Sequence, residues 1–128
     1  MTIPVAPSAT VPEMMHGGAE RLPIRWANTA EPPARIARYR VEPGASVSLH
    51  VHTGKAEYWV ITEGEGEVRV GAERFAVAEG DVVLTPPTVP HGLLNTGTVP
   101  LVFLNIVQPT GETITSTELG GRGWSAFS

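Results

Sequence analysis

No cysteine occurs anywhere in the 128 residues. That absence excludes a disulfide framework and thiolate ligation of a metal, and it fits a reducing cytoplasm. Lysine and arginine number nine against thirteen aspartates and glutamates, they form no cluster, and the formal net charge is −4. A chain without a basic face is not built for nucleic acid or an anionic membrane, so a small molecule becomes the expected partner. Nowhere do eighteen apolar residues run together, and the first residues show no basic segment followed by an apolar one, so neither a membrane span nor export is expected. Helical periodicity is almost absent too. The length suits one domain with a single core.

What the chain does have is a series of short, alternating segments separated by turn residues. Ala37, Tyr39 and Val41 alternate with Arg38, Arg40 and Glu42, which places the apolar set inside and the arginines on a solvated face. Pro43-Gly44 turns the chain. On the next strand Ser46, Ser48, His50 and His52 share one face, and Val47, Leu49 and Val51 pack on the other. Beyond Glu57, Trp59 and Ile61 keep the side of the carboxylate, with Tyr58 and Val60 opposite. The Glu63-Gly64-Glu65-Gly66-Glu67 stretch lacks the lysine of a phosphate loop and reads as a hydrated turn. Val68 to Val70, Gly71-Ala72 and Phe75 to Val77 read as a hairpin with a type II′ turn. Leu101 to Val107 is the last clear strand: Val102, Leu104 and Ile106 make a wholly apolar face, and Phe103 and Asn105 lie on the other. Asn105 there is either part of a polar cavity or on a solvent edge.

Two stretches carry the chemistry. Histidines one residue apart on a strand point to the same side, about 7 Å apart, and can grip one ion together. Glu57, across the Thr53 to Ala56 bend, returns on the neighbouring strand as a third ligand. Two imidazoles and a carboxylate leave open positions on a first-row transition metal. The second stretch places three prolines, Pro86, Pro87 and Pro90, just before His91; proline fixes φ and removes a donor, so His91 is presented from a defined direction as a fourth ligand. His16, the remaining histidine, reads as a solvent-exposed imidazole.

These stretches resemble the cupin family from Tyr39 to Pro109. Its first motif is matched at Gly44, His50, His52, Glu57 and Gly64, and its second at Gly80, Pro86, His91 and Asn95. The second departs at Thr88, where the family usually has glycine; glycine permits positive φ and threonine resists it. The resemblance implies an all-β fold, an antiparallel jelly-roll β-barrel, which the many short strands with turn signals between them also suggest. Residues 1–33 are then an N-terminal arm carrying six of the twelve prolines, 34–109 the barrel and 110–128 a C-terminal tail around Trp124 and Phe127. Ile24 and Trp26 of the arm would pack along the barrel or against a partner, and a homodimer is expected.

His50, His52, Glu57 and His91 suit one divalent ion, Fe, Mn, Ni, Co or Zn. Tyr39, Ser48, Trp59, Phe103 and Asn105 are the candidates for the pocket wall, the aromatic groups excluding water and the polar ones orienting a substrate. Glu57 either stays a ligand or leaves the ion and acts as catalytic base. Three functions follow: dioxygenation of a small chelating enol or enediol, which is favoured; a non-redox lyase, isomerase or cyclase; or a binding protein without turnover. Asn95 opens a turn and is expected to be structural.

Overall fold

The computed structural model describes residues 11–25 and 33–119. Among these, eleven strands occur and no helix: β1 (Glu13–Met14), β2 (Glu20–Pro23), β3 (Arg35–Val41), β4 (Ser46–Thr53), β5 (Lys55–Glu63), β6 (Glu65–Val70), β7 (Glu73–Ala78), β8 (Val82–Thr85), β9 (His91–Leu94), β10 (Leu101–Pro109) and β11 (Thr115–Glu118). They form two sheets, ordered β1-β2-β3-β10-β5-β8 and β11-β4-β9-β6-β7. Every strand pairing is antiparallel. This is the all-β jelly-roll barrel expected from the sequence.

The alternation of the sequence builds the interior. Along β3, Ala37, Tyr39 and Val41 are buried while Arg38 and Arg40 are exposed, and along β5 Trp59 and Ile61 are buried while Tyr58 is 38% exposed. The core joins Val41, Ile61, Val68, Leu93, Leu101 and Phe103 across the two sheets. Each such side chain contributes roughly 1.5–3 kcal/mol when removed from water. Three interior rows change character along their length. β10 runs from Leu101 through Phe103 to Asn105, β5 from Ile61 through Trp59 to Glu57, and β3 from Val41 to Tyr39. One end of the barrel is therefore packed with hydrocarbon, and the other ends in polar groups.

Four local features differ from the sequence expectations. On β4 the register shifts: Val47 faces Leu93, whereas His50 faces His91, so β4 spends one residue more than β9 between these pairs. Such a bulge lets consecutive residues share a side, and Val47 joins Ser48 in lining the interior instead of packing outside. The glutamate-glycine stretch is strand for most of its length. Gly64, at φ 81°, is the turn, and Gly66 lies inside β6, where a Cβ would stand 2.5 Å from the Leu94 carbonyl oxygen. Gly54, at φ 77°, does not return the chain to the neighbouring strand but passes it to the opposite sheet. The segment after Pro109 contributes β11, paired with β4.

The Gly71-Ala72 hairpin is formed as expected, Gly71 at φ 61° and Ala72 at negative φ. Ile24 extends the pairing beside β3 through its N–H to the Ile36 carbonyl. Trp26, Trp124 and Phe127 lie outside the described residues. No helix of the described residues is long and apolar enough to cross a membrane.

Candidate metal centre

His50, His52 and His91 belong to adjacent strands of the five-stranded sheet, and Glu57 reaches them from β5 of the opposite sheet. One ligand atom from each lies within 4.8 Å of the others. Donors on a sphere of about 2.1 Å around one ion are separated by roughly 3–4 Å, so the spacing suits a single centre. His52 Nε2 is 3.4 Å and His91 Nε2 3.9 Å from the Glu57 carboxylate.

The other nitrogen of each imidazole is already engaged. His50 Nδ1 donates to the Ser48 carbonyl at 2.7 Å, and His91 Nδ1 to that of Val89 at 2.9 Å. His52 Nδ1 meets the Ser116 hydroxyl at 2.6 Å. A carbonyl only accepts, so Nδ1 carries the proton in His50 and His91 and Nε2 keeps its lone pair for the centre. His91 Nε2 is buried with no hydrogen-bond partner. An orphaned imidazole nitrogen facing a carboxylate and two further imidazoles fits a divalent cation.

Electrostatics agree. Burial, with help from neighbouring His50, pushes His91 down to about 4, and burial likewise takes His52 down to about 3. Both are neutral at pH 7, the form that ligates. Burial alone would raise Glu57, but Lys55 foremost, then His52 and His91, outweigh it and hold the carboxyl below its ordinary value. Both carboxylate oxygens are fixed: Trp59 Nε1 donates to Oε1 at 3.0 Å, and Lys55 Nζ stands 3.1 Å from Oε2.

The centre opens into a cavity of about 310 Å³ that also contains Tyr39, Ser48, Asn105, Arg21, Lys55 and Glu118. The five wall candidates divide into two groups. Tyr39, Ser48 and Asn105 line the cavity, whereas Trp59 and Phe103 stand behind it. There they form a ring stack: Tyr39 to Phe103 at 4.8 Å, Phe103 to Trp59 at 4.9 Å and Trp59 to His91 at 5.5 Å. Asn105 is buried, not on a solvent edge; its amide hydrogen-bonds the Tyr39 hydroxyl, and its Oδ1 has no partner. Burial, then the Glu57 charge, lifts the Tyr39 hydroxyl to about 12, so it remains a proton donor. Asn95 is structural: Nδ2 donates to the Val41 and Val99 carbonyls, and Oδ1 accepts from Gly97, all at 2.8 Å.

Sequence reasoning missed Arg21, Lys55, Ser116 and Glu118, and it underrated His16. His16 is exposed as expected, but Nδ1 contacts Ser48 Oγ at 3.1 Å and Glu118 Oε1 at 3.2 Å at the cavity's rim. Ser48 Oγ also donates to Glu118. For Lys55 the signal was present, since it alternates with Glu57 and Trp59 on one side of β5. For the others no local pattern marks a residue whose strand is paired only by tertiary folding. A larger groove, about 530 Å³ between β7 and β8, is lined by groups such as Phe75, Val77, Val82 and Leu84 and lies away from the histidines.

The double sheet with this His/His/Glu/His cluster defines a cupin, and a cupin-domain family model matches residues 37–107. The chain belongs to the cupin family. It is 36% identical over 75 residues to a mannose-1-phosphate guanylyltransferase of Klebsiella pneumoniae, a match covering 59% of this chain but only 16% of that enzyme. It is 37% identical over 72 residues to an oxalate-binding protein of Thermotoga maritima, covering 56% of this chain and 60% of the relative. Among solved structures, a "predicted oxalate decarboxylase" of Thermotoga maritima superposes with TM-score 0.72 at 31% identity, over 82% of this chain and 98% of that one. Salicylate 1,2-dioxygenase of Pseudoaminobacter salicylatoxidans, at 17% identity and TM-score 0.70 over 80% of this chain and 30% of that one, shares the fold.

Proposed function

We propose that the protein is a mononuclear metal-dependent cupin enzyme acting on a small oxygenated metabolite that chelates the ion through hydroxyl, carbonyl or carboxylate oxygens, with dioxygenation as the favoured reaction. The observation that carries this reading is the convergence of His50, His52, Glu57 and His91, with His91 Nε2 buried and unpartnered. A divalent ion held by these four groups supplies Lewis acidity and, where it is redox-active, an electron path to dioxygen.

The chain's own groups divide the remaining work. Glu57, held at both oxygens by Trp59 and Lys55, serves as a fixed ligand better than as a base that leaves the ion. The Tyr39, Phe103 and Trp59 rings keep one wall dry, and the Tyr39 hydroxyl and Asn105 amide orient the substrate. The oxalate in the names of the Thermotoga maritima relative and of the Thermotoga maritima structure supports a small-acid ligand. We place the protein in the cytoplasm as a homodimer. The outward stripe of Leu104, Ile106, Tyr58, Val82 and Leu84 is the surface for a second copy, with Val82 60% and Leu84 49% exposed. Sedimentation checks that assembly.

The test of the enzyme reading begins with metal analysis of protein purified without a chelating column, followed by aerobic and anaerobic incubation with enolic and hydroxy-acid candidates. Oxygen uptake on adding substrate supports dioxygenation. Turnover without oxygen moves the assignment to a lyase, isomerase or cyclase, and tight binding without any product moves it to a binding protein.

A further inference from the structure

Resting on the metal reading above, we infer that Arg21 is the second anchor of the cavity, and that the substrate is a small dicarboxylic acid with one carboxylate on Arg21 and its other, oxygen-bearing end at the histidine cluster. Arg21 comes from β2, outside the span matched by the family model. It stands directly across from Tyr39 in the sheet, and its side chain lines the same cavity as His50, His52 and Glu57.

Three observations favour a ligand at this place. A guanidinium carries five N–H donors in a planar fork; Glu13 engages Nη1 at 2.8 Å and the Tyr39 hydroxyl accepts a further hydrogen bond, which leaves the remaining donors for another anion. Asn105, 4% exposed, lines the same wall with its acceptor Oδ1 unsatisfied, which a hydroxyl of the ligand, and not a carboxylate, can complete. Arg21 and Lys55 stand against Glu57 and Glu118 in the lining and against Glu13, which pairs with Arg21, so a divalent ion would turn this group of side chains from net negative to net positive and attract an anion. A volume of about 310 Å³ lies at the small end of ligand sites and suits a metabolite of a few carbons.

The test is equilibrium binding by calorimetry to the full chain loaded with Zn(II), a redox-inert ion, with ion content measured in every sample. Malate and 2-hydroxybutyrate share four carbons and a chelating 2-hydroxy acid end, and only malate has a second carboxylate. Wild type is expected to bind malate at least about tenfold more tightly, as a charge-assisted hydrogen-bonded pair provides. Arg21→Met is expected to bind the two acids alike with its ion content unchanged, and Arg21→Lys to recover part of the preference. Glu13→Gln, which frees Nη1 at an exposed position, is expected to tighten malate severalfold, and it carries the test should Arg21→Met fail to fold. The inference is overturned if Arg21→Met keeps the preference, if Glu13→Gln leaves malate binding unchanged, or if wild type shows no preference across 2-hydroxy dicarboxylates of three to six carbons. A wild-type protein that takes up no ion sinks the metal reading itself. An ion-loaded protein blind to the second carboxylate sinks the Arg21 assignment alone.

Discussion

The Trp59 indole donates a 3.0 Å hydrogen bond from Nε1 to Oε1 of Glu57, two residues earlier on the same strand. With Lys55, which holds the other oxygen from two residues earlier still, it makes one side of β5 a self-contained cradle for a carboxylate. The period of two that creates an interior row also supplies the ligand and both of its supports. Trp59→Phe keeps an aromatic ring against Phe103 but releases Oε1. Groups that orient a ligand are generally worth ~10–100-fold in metal affinity. Competition against a chromophoric chelator is expected to show a loss of about tenfold, and unchanged affinity would show the indole bond to be dispensable.

Ser116 performs the same service for His52 from β11, at 2.6 Å. Ser116→Ala is expected to weaken metal binding by about tenfold, while its exposed position keeps the change in melting temperature small. The same chelator competition measures it. If only stability moves, the hydroxyl serves the strand pairing and not the histidine.

Thr88 is the single non-glycine residue with positive φ among those described, at 66°. The loop keeps the backbone shape for which the family usually employs glycine, and its N–H donates to the His52 carbonyl at 2.7 Å. Left-handed backbone costs an L-residue about 1–2 kcal/mol, partly offset in a glycine variant by extra freedom of the unfolded chain. The exposed threonine side chain has little packing to lose. Thr88→Gly is expected to raise stability by about 0.5–1 kcal/mol in chemical denaturation. A destabilised variant would mean that the threonine side chain contributes more than its backbone strain removes.

Stability of the metal-free protein should depend on pH in a stated direction. His52 and His91 are held at about 3 and about 4 in the fold, against an ordinary 6.5. Below pH 6.5 the unfolded chain therefore binds more protons than the folded one, and stability falls as pH drops from about 6.5 towards 4. Glu57, also lowered, adds to the loss below its ordinary 4.5. Melting temperature measured after chelation is expected to be highest near neutrality and to decline through this window. Replacing His91 with glutamine should flatten part of the decline, and a pH-independent melting curve would contradict the burial of these imidazoles in neutral form.

Much of this protein was legible along the chain because its information is local. Alternation with period two fixed which side of β3 and β5 faces inward, and the His50, His52, Glu57 and His91 spacings marked the four candidate ligands that the fold brings within 4.8 Å. Asn95 could be assigned to a turn because an amide followed by Thr-Gly satisfies its own neighbourhood. A single inserted residue defeats such reasoning: the β4 bulge brings Val47 to the interior, and no periodic pattern announces where a strand gains a residue.

The sequence by itself therefore determined the strands, their inward faces and the identity of the candidate ligands, all of which depend on residues a few positions apart. Only the tertiary structure decided that the carboxylate meets the imidazoles across the gap between two sheets, and that Arg21 from β2 and Ser116 and Glu118 from β11 join them. The physical reason is that strand pairing is made by backbone hydrogen bonds, which are alike for every residue type. A side chain's companions on the next strand are set by register and closure of the barrel, and those are properties of the whole fold.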